Sequence, residues 1–244
     1  MKATHKYLIN IIVISILLNI GLTAFGKKKV EGFHYGIKIP FSYNFGYYSK
    51  VANRFGFYAN ATIVTVPFNN SLLGYMKAFG ADEKMTNVLI EPFRFGFGFE
   101  GGGHYYFGTD NRRYYVGLNA QWINLPKVAM RDEVINEAYG VDLSSHDYPE
   151  GPITEAESKN PLTLKSAYMQ MGIMAGKRFF YLEPNFEMFL EVGLSKTMAS
   201  THRLASDYRY ISPVSELNNE SLKKMMKRYG WMPTVNVFFI YKFH

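Results

Sequence analysis

The stretch Phe33-His-Tyr-Gly-Ile-Lys-Ile-Pro-Phe-Ser-Tyr-Asn-Phe-Gly-Tyr47 puts a large apolar side chain at every odd position and a small or polar one at every even position. A period of two is the mark of a β-strand, whose successive side chains leave on opposite faces. Read as one strand, the run far exceeds the ~5–6 residues usual in soluble sheets and the ~9–11 that cross a bilayer at a barrel's tilt. An aromatic-rich face on a strand of this length fits contact with lipid.

The same alternation returns over Phe55–Ile63, Phe93–Phe107, Tyr114–Trp122, Met169–Ala175, Phe186–Leu194 and Val235–Phe243, which makes seven visible strands. Their connections alternate in length. Segments 49–53, 109–111 and 180–184 are short, while 67–87, 124–162 and 198–230 are long and hold helix-like stretches at Ser71–Phe79 and Ser215–Arg228. Turns on one side and loops on the other are the asymmetry of an outer-membrane barrel, and such single-chain barrels have an even strand number. The expected fold is therefore all-β: an antiparallel transmembrane β-barrel of eight strands, with short periplasmic turns and long, partly helical extracellular loops. The eighth strand is expected in a long loop or near Lys27–Gly32. Pro40 and Pro92, which depart from ideal strand ladders, are read as bulges within strands.

Composition narrows the function classes. Nearly half of the 244 residues are apolar, so the chain is not disordered, and no Cys is present for a disulfide framework, a thiol nucleophile or a lipoprotein anchor. The one long apolar run, Tyr7–Leu22, follows Lys2 and Lys6 and precedes Ala24-Phe-Gly26. These features read as a signal peptide over residues 1–26, leaving 27–244 as the barrel domain. Its removal takes two lysines and no acid, so 25 basic against 20 acidic residues remain, a net +5. That balance does not suggest nucleic acid; it suits a lipid surface, a partner or interior pairing.

With the short turns at one end, aromatic residues collect there. Tyr43, Tyr47, Tyr105, Phe107, Tyr114, Phe179, Tyr241 and Phe243 are expected to form a girdle at the periplasmic interface, with Lys50, Arg54, Arg112, Arg113, Lys177 and Arg178 beyond it, within reach of lipid phosphates. The inward parity carries Lys38, Arg94 and Lys242 with Glu100, Glu187 and Glu191, three cations and three anions that would pair in a side-chain-filled lumen. The same set could alternatively line a narrow channel or a path for hydrophobic solutes.

No catalytic, cofactor or metal site is assigned. Gly96-Phe-Gly-Phe-Glu-Gly101 matches the dinucleotide pattern only in letters, because it lies inside a strand and opens no helix; the glycines are read as relief of crowding. Neither G-x-S-x-G nor H-E-x-x-H occurs, Ser42 and Ser166 have nothing to recommend them as nucleophiles, and His146 and His202 are read as solvated loop residues. A lipid-modifying enzyme would have to use His34 or His104. Residues 125–162 carry a net −5 and residues 198–230 a net +3, so the long loops could cap one another by charge or recruit a surface or secretion-system partner.

The leader, the Gly36–Phe41 alternation, the Gly176-Lys-Arg-Phe-Phe-Tyr-Leu-Glu-Pro-Asn185 turn and the terminal Val235-Asn-Val-Phe-Phe-Ile-Tyr-Lys-Phe243 resemble small outer-membrane β-barrels of the Bacteroidetes type. They are broadly similar to OmpA/OmpX/OmpW-like barrels, with the PorT-type barrels as one subgroup. The resemblance implies that Phe239, Tyr241 and Phe243 form the terminal signal read by the barrel-assembly machinery, although His244 follows the last aromatic.

Overall fold

The computed structural model describes residues 30–52, 54–65, 68–108, 113–140, 162–183, 185–206 and 212–243. The predicted signal peptide and the acidic stretch 141–161 lie outside them, as do the 109–111 turn, Arg112, His146 and His244. Eight strands close into one antiparallel barrel: β1 (Val30–Ile39), β2 (Ser42–Ala52), β3 (Phe55–Thr65), β4 (Phe95–Phe107), β5 (Tyr114–Met130), β6 (Leu162–Glu183), β7 (Phe186–Ala205) and β8 (Trp231–Lys242). Each pairs with its sequence neighbour, and β8 pairs back onto β1, so no strand edge is left to other chains.

The eighth strand comes from the decisive run itself. Residues 33–47 are two strands joined at Pro40, not one. Lys38 pairs with Ser42, the Phe41 amide donates to the Lys38 carbonyl at 2.6 Å, and the Ile39–Pro40 peptide is cis. Because Lys38 faces Ser42 and Ile37 faces Tyr43, odd residues of β1 oppose odd residues of β2, and the alternation passes through the turn unbroken. Periodicity alone could not see the reversal. The split puts the start of β1 and the end of β8 at the short-turn end of the barrel, where β2 meets β3, β4 meets β5 and β6 meets β7. Pro92 is also no bulge: it sits in a 3-10 turn, Glu91–Arg94, ahead of β4.

Following one hydrogen-bonded row shows the tilt. Phe55, Tyr105, Val116, Ala175, Val192, Val235 and Ile39 are successive partners from β3 round to β1. The row starts beside the short β2–β3 turn and ends beside Pro40 at the opposite end, so the strands lie oblique to the barrel axis.

Outside, the apolar parity forms a belt that includes Phe33, Phe45, Phe99, Leu118, Ile173 and Val192, each more than half exposed. Its upper edge carries both tryptophans. Trp122 is followed outward on β5 by Asn124, while Trp231 opens β8 with the Lys196 ammonium 4.6 Å from its ring. Above that edge β6 and β7 turn Lys165, Thr201 and Arg203 outward.

The described residues of the long connections form four helices: α1 (Phe68–Ala78), α2 (Glu83–Ile90), α3 (Asp132–Tyr139) and α4 (Ser212–Tyr229). The Asp82 carboxylate caps α2 by accepting from the Met85 amide at 2.9 Å, and Gly140 closes α3 in the left-handed conformation. Together they bury Leu72, Met76, Val88, Leu89, Ile135, Leu222, Met225 and Met226 against the rim residues Val64, Ile123, Leu125, Met130, Leu162, Leu164 and Leu204. Phe41 and Phe93, predicted to face outward, turn into this cap instead, with ring centroids 6.1 Å apart. The cap is apolar in its making. Among the described residues, the ion pairs across its elements are Lys77–Glu83, from α1 to α2, and Lys84–Glu137 at 3.8 Å, and the Tyr139 hydroxyl donates to Asn218 at 2.9 Å, whereas Lys223, Lys224, Lys227 and Arg228 lie on the solvent face of α4.

Candidate functional site

Beneath the cap, the even positions of β1–β4 and β6 meet the odd positions of β5 and, up to the bulge after Thr197, of β7 inside the barrel, and the even positions of β8 join them. The lumen is filled with polar side chains and tyrosines. At its middle Glu100, nearly fully buried, accepts from Lys38 Nζ at 2.6 Å, Asn119 Nδ2 at 2.7 Å, Tyr58 Oη at 3.1 Å and Asn44 Nδ2 at 3.3 Å. Glu191 accepts from the Tyr115 hydroxyl at 3.1 Å and from Asn236 Nδ2, and His104 Nε2 stands 3.6 Å away, too far for a hydrogen bond. His34 Nδ1 meets Asn60 Oδ1 at 2.7 Å.

Toward the short turns the filling becomes aromatic. Tyr48, Tyr106, Tyr115, Phe189 and Phe238 pack together, with the Tyr48 and Tyr106 hydroxyls 2.7 Å apart. Room for these rings comes from inward glycines: a Cβ on Gly102 would lie 2.5 Å from the Tyr58 ring, and one on Gly176 would lie 2.4 Å from the Tyr115 hydroxyl. Glu187 closes this end, bound to Lys242 at 2.5 Å and to Arg178 at 3.4 Å.

The predicted charge set is thus partly redistributed. Lys38 and Glu100 pair, Glu187 pairs with Lys242 at the barrel mouth, and Glu191 is satisfied mainly by neutral donors. Arg94 is not in the lumen. Its strand begins one residue later, and its 63% exposed side chain pairs with Glu91 at 2.9 Å. Arg178, expected among the lipid-facing cations, takes the interior place, because the strand runs on past it and its even position on β6 points inward. The parity of Met169–Ala175, carried three residues further, would have shown this.

Among the girdle residues, Tyr105, Phe107, Tyr114 and Tyr241 stand exposed at the short-turn end, Phe179 lies there half-buried under the Lys177 ammonium, and Tyr47 lies higher on β2. Tyr43 stands at the other end, two residues past the β1–β2 turn, since the chain has already reversed. Phe243 packs edge-on against Phe33 at 4.8 Å, and Phe239 stacks between Tyr35 and Phe186, so the terminal aromatics line the outer seam where β8 meets β1 and β7.

His202, expected in a solvated loop, is buried in β7 opposite Ser166, whose hydroxyl lies 3.0 Å from its Nδ1. A Ser–His pair of this length is the opening geometry of nucleophilic catalysis. Its surroundings are the Tyr168 ring, the Asn219 side chain bound to the His202 amide, and the apolar cap; among the described residues no carboxylate orients the imidazole, and the side chain is buried. His34 and His104 are equally enclosed. The void between His34, Lys38, Glu100, Glu191 and Asn236 measures about 10 Å³, the space of one water.

The sequence matches no protein-family model and no curated protein. Among solved structures the chain is similar to CarO2 of Acinetobacter baumannii, at 9% identity and a TM-score of 0.33 over 89% of this chain and 100% of that one. It is also similar to CarO of the same organism, at 8% identity and a TM-score of 0.32 over 88% and 97%. At such scores the barrel stands on its own strand pairing, and its task on its own residues.

Proposed function

We propose that the chain is an integral outer-membrane barrel that anchors a rigid helical cap at the cell surface, closed to solute flow. One observation carries this reading: the molecule is inside-out for water. Carboxylates, amides and imidazoles fill its centre, while Phe45, Phe99 and Leu118, each over 60% exposed, ring its outside. A soluble protein does not expose a continuous apolar belt of this extent. A bilayer asks for one, and the span of β8 from Trp231 to Tyr241 is about the ~9–11 residues that a tilted strand needs to cross. The long-loop end, with its cap, is then extracellular, and the start of β1, the end of β8 and the short turns are periplasmic. Phe239, Tyr241 and Phe243 serve the assembly machinery on the same reading, and the basic face of α4, Lys223 to Arg228, is what the cap offers to an acidic surface partner.

The filled lumen favours an anchor over a channel. Refolded into planar bilayers, the protein should give no steady single-channel current and should migrate faster on gels before boiling than after. A reproducible ohmic conductance would overturn the closed-barrel reading.

A further inference from the structure

A furrow of about 960 Å³ runs across the outer wall from β3 to β7, two outward residues per strand. Its rows are fixed by the strand register. The lower row passes from Phe55 through Tyr105 and Ala175 to Val192, and the upper from Phe57 through Gly103 to Leu194. Ala175 lowers the floor, the Phe57 ring leans over Gly103, and Val116, Leu118 and Ile173 stand in the rows as walls. Five strands at ~4.8 Å spacing give a length of about 19 Å, inclined because the row climbs away from the short turns. Such an oblique slot crosses roughly half of a ~30 Å hydrocarbon core, the share of one leaflet.

The low end is cationic. Exposed Arg54, in the β2–β3 turn, donates from Nη1 to the hydroxyl of Tyr105, itself part of the furrow wall, at 3.1 Å. Lys177 faces outward two residues below Ala175, its ammonium over the rings of Tyr114 and Phe179 at 5.5 and 5.1 Å. An apolar slot that begins at a guanidinium near the polar boundary matches one kind of occupant. We propose that the furrow binds a single glycerophospholipid, its acyl chain along the slot and its phosphate at Arg54. The inference rests on the barrel being membrane-embedded.

The test is native mass spectrometry of the full chain released from detergent micelles, titrated with dioleoylphosphatidylglycerol or with dioleoylglycerol, which lacks the phosphate. The site predicts saturation at one phosphatidylglycerol per barrel. Binding should weaken about tenfold for dioleoylglycerol and for Arg54→Gln, the loss of one charge-assisted hydrogen bond, with recovery in Arg54→Lys. Ala175→Trp, which fills the slot from a lipid-facing position, should abolish the stoichiometric adduct while the gel mobility of the unboiled barrel stays that of wild type. Adducts that accumulate without saturation and identically in all variants would overturn the site and leave the membrane reading intact. So would a dimer that covers this face and carries no lipid. Failure of the wild type to insert into vesicles would overturn both.

Discussion

Glu100 gives up water for four donors, and only one of them, Lys38, is charged. A buried ion pair contributes little against an apolar replacement, but a buried charge stripped of its partner is expensive. Lys38→Met should therefore cost about 3–5 kcal/mol, seen as a lowered urea midpoint of the refolded barrel, and the double variant Lys38→Met/Glu100→Gln should recover most of it. Equal midpoints for single and double variants would show that the pair is not coupled. Gly102 is a second residue with a sharp expectation. Any Cβ there meets the Tyr58 ring at 2.5–2.6 Å, so Gly102→Val should sharply lower the fraction of chains reaching the fast-migrating folded form, and Tyr58→Ala should rescue it. Both residues follow from parity, since Lys38, Tyr58, Glu100 and Gly102 all occupy even positions of strands whose odd positions are aromatic or aliphatic apart from glycines such as Gly101 and Gly103. Their mutual distances did not follow, because they depend on the shear of the barrel, which no single strand encodes. Arg94 and Arg178 changed places for a related reason. Where a strand starts or stops decides whether parity applies, and 3-10 residues Glu91–Arg94 and the long end of β6 each moved that limit by a few residues.

At the scale of elements, the β1–β2 hairpin and the cap show what periodicity can and cannot convey. A turn that keeps odd residues opposite odd residues leaves no break in the pattern, so Pro40 was the only local sign of the reversal at the centre of the 33–47 run. The cap helices were partly legible. Ser71–Phe79 and Ser215–Arg228 overlap α1 and α4, while the eight-residue α2 and α3 are too short to show a stable period. The opposite loop charges pointed toward electrostatic capping, yet the cations of α4 face solvent and its Leu222 and Met226 are fully buried. Reversing Lys223, Lys224, Lys227 and Arg228 to Glu should leave the protease resistance of the cap nearly unchanged, as for exposed pairs worth ~0–1 kcal/mol. Met226→Asp should open the cap to limited proteolysis while the barrel keeps its gel shift, because an unpaired charge would enter an apolar cluster. Sensitivity in the charge-reversed protein and resistance in Met226→Asp would reverse this assignment.

Over the whole molecule, two arrangements meet: an apolar belt turned to the outside and a lumen closed by its own side chains below and by helices above. The belt was legible from the first run of sequence, because alternation is a property of each strand alone. The closure was not, since it depends on which inward residues the strand order brings together and on loop helices folding back over the rim. Both tryptophans of the chain mark the upper edge of the belt, where an indole has its apolar body in hydrocarbon and its N–H toward water. This gives the membrane reading its most direct measurement: quenching of intrinsic fluorescence in vesicles whose lipids carry bromine at defined depths. Trp122 and Trp231 should be quenched most by bromines close to the headgroups, less by bromines at the chain ends and only weakly by aqueous iodide. Strong iodide quenching with no response to brominated lipid would place the aromatic belt in water and contradict the account.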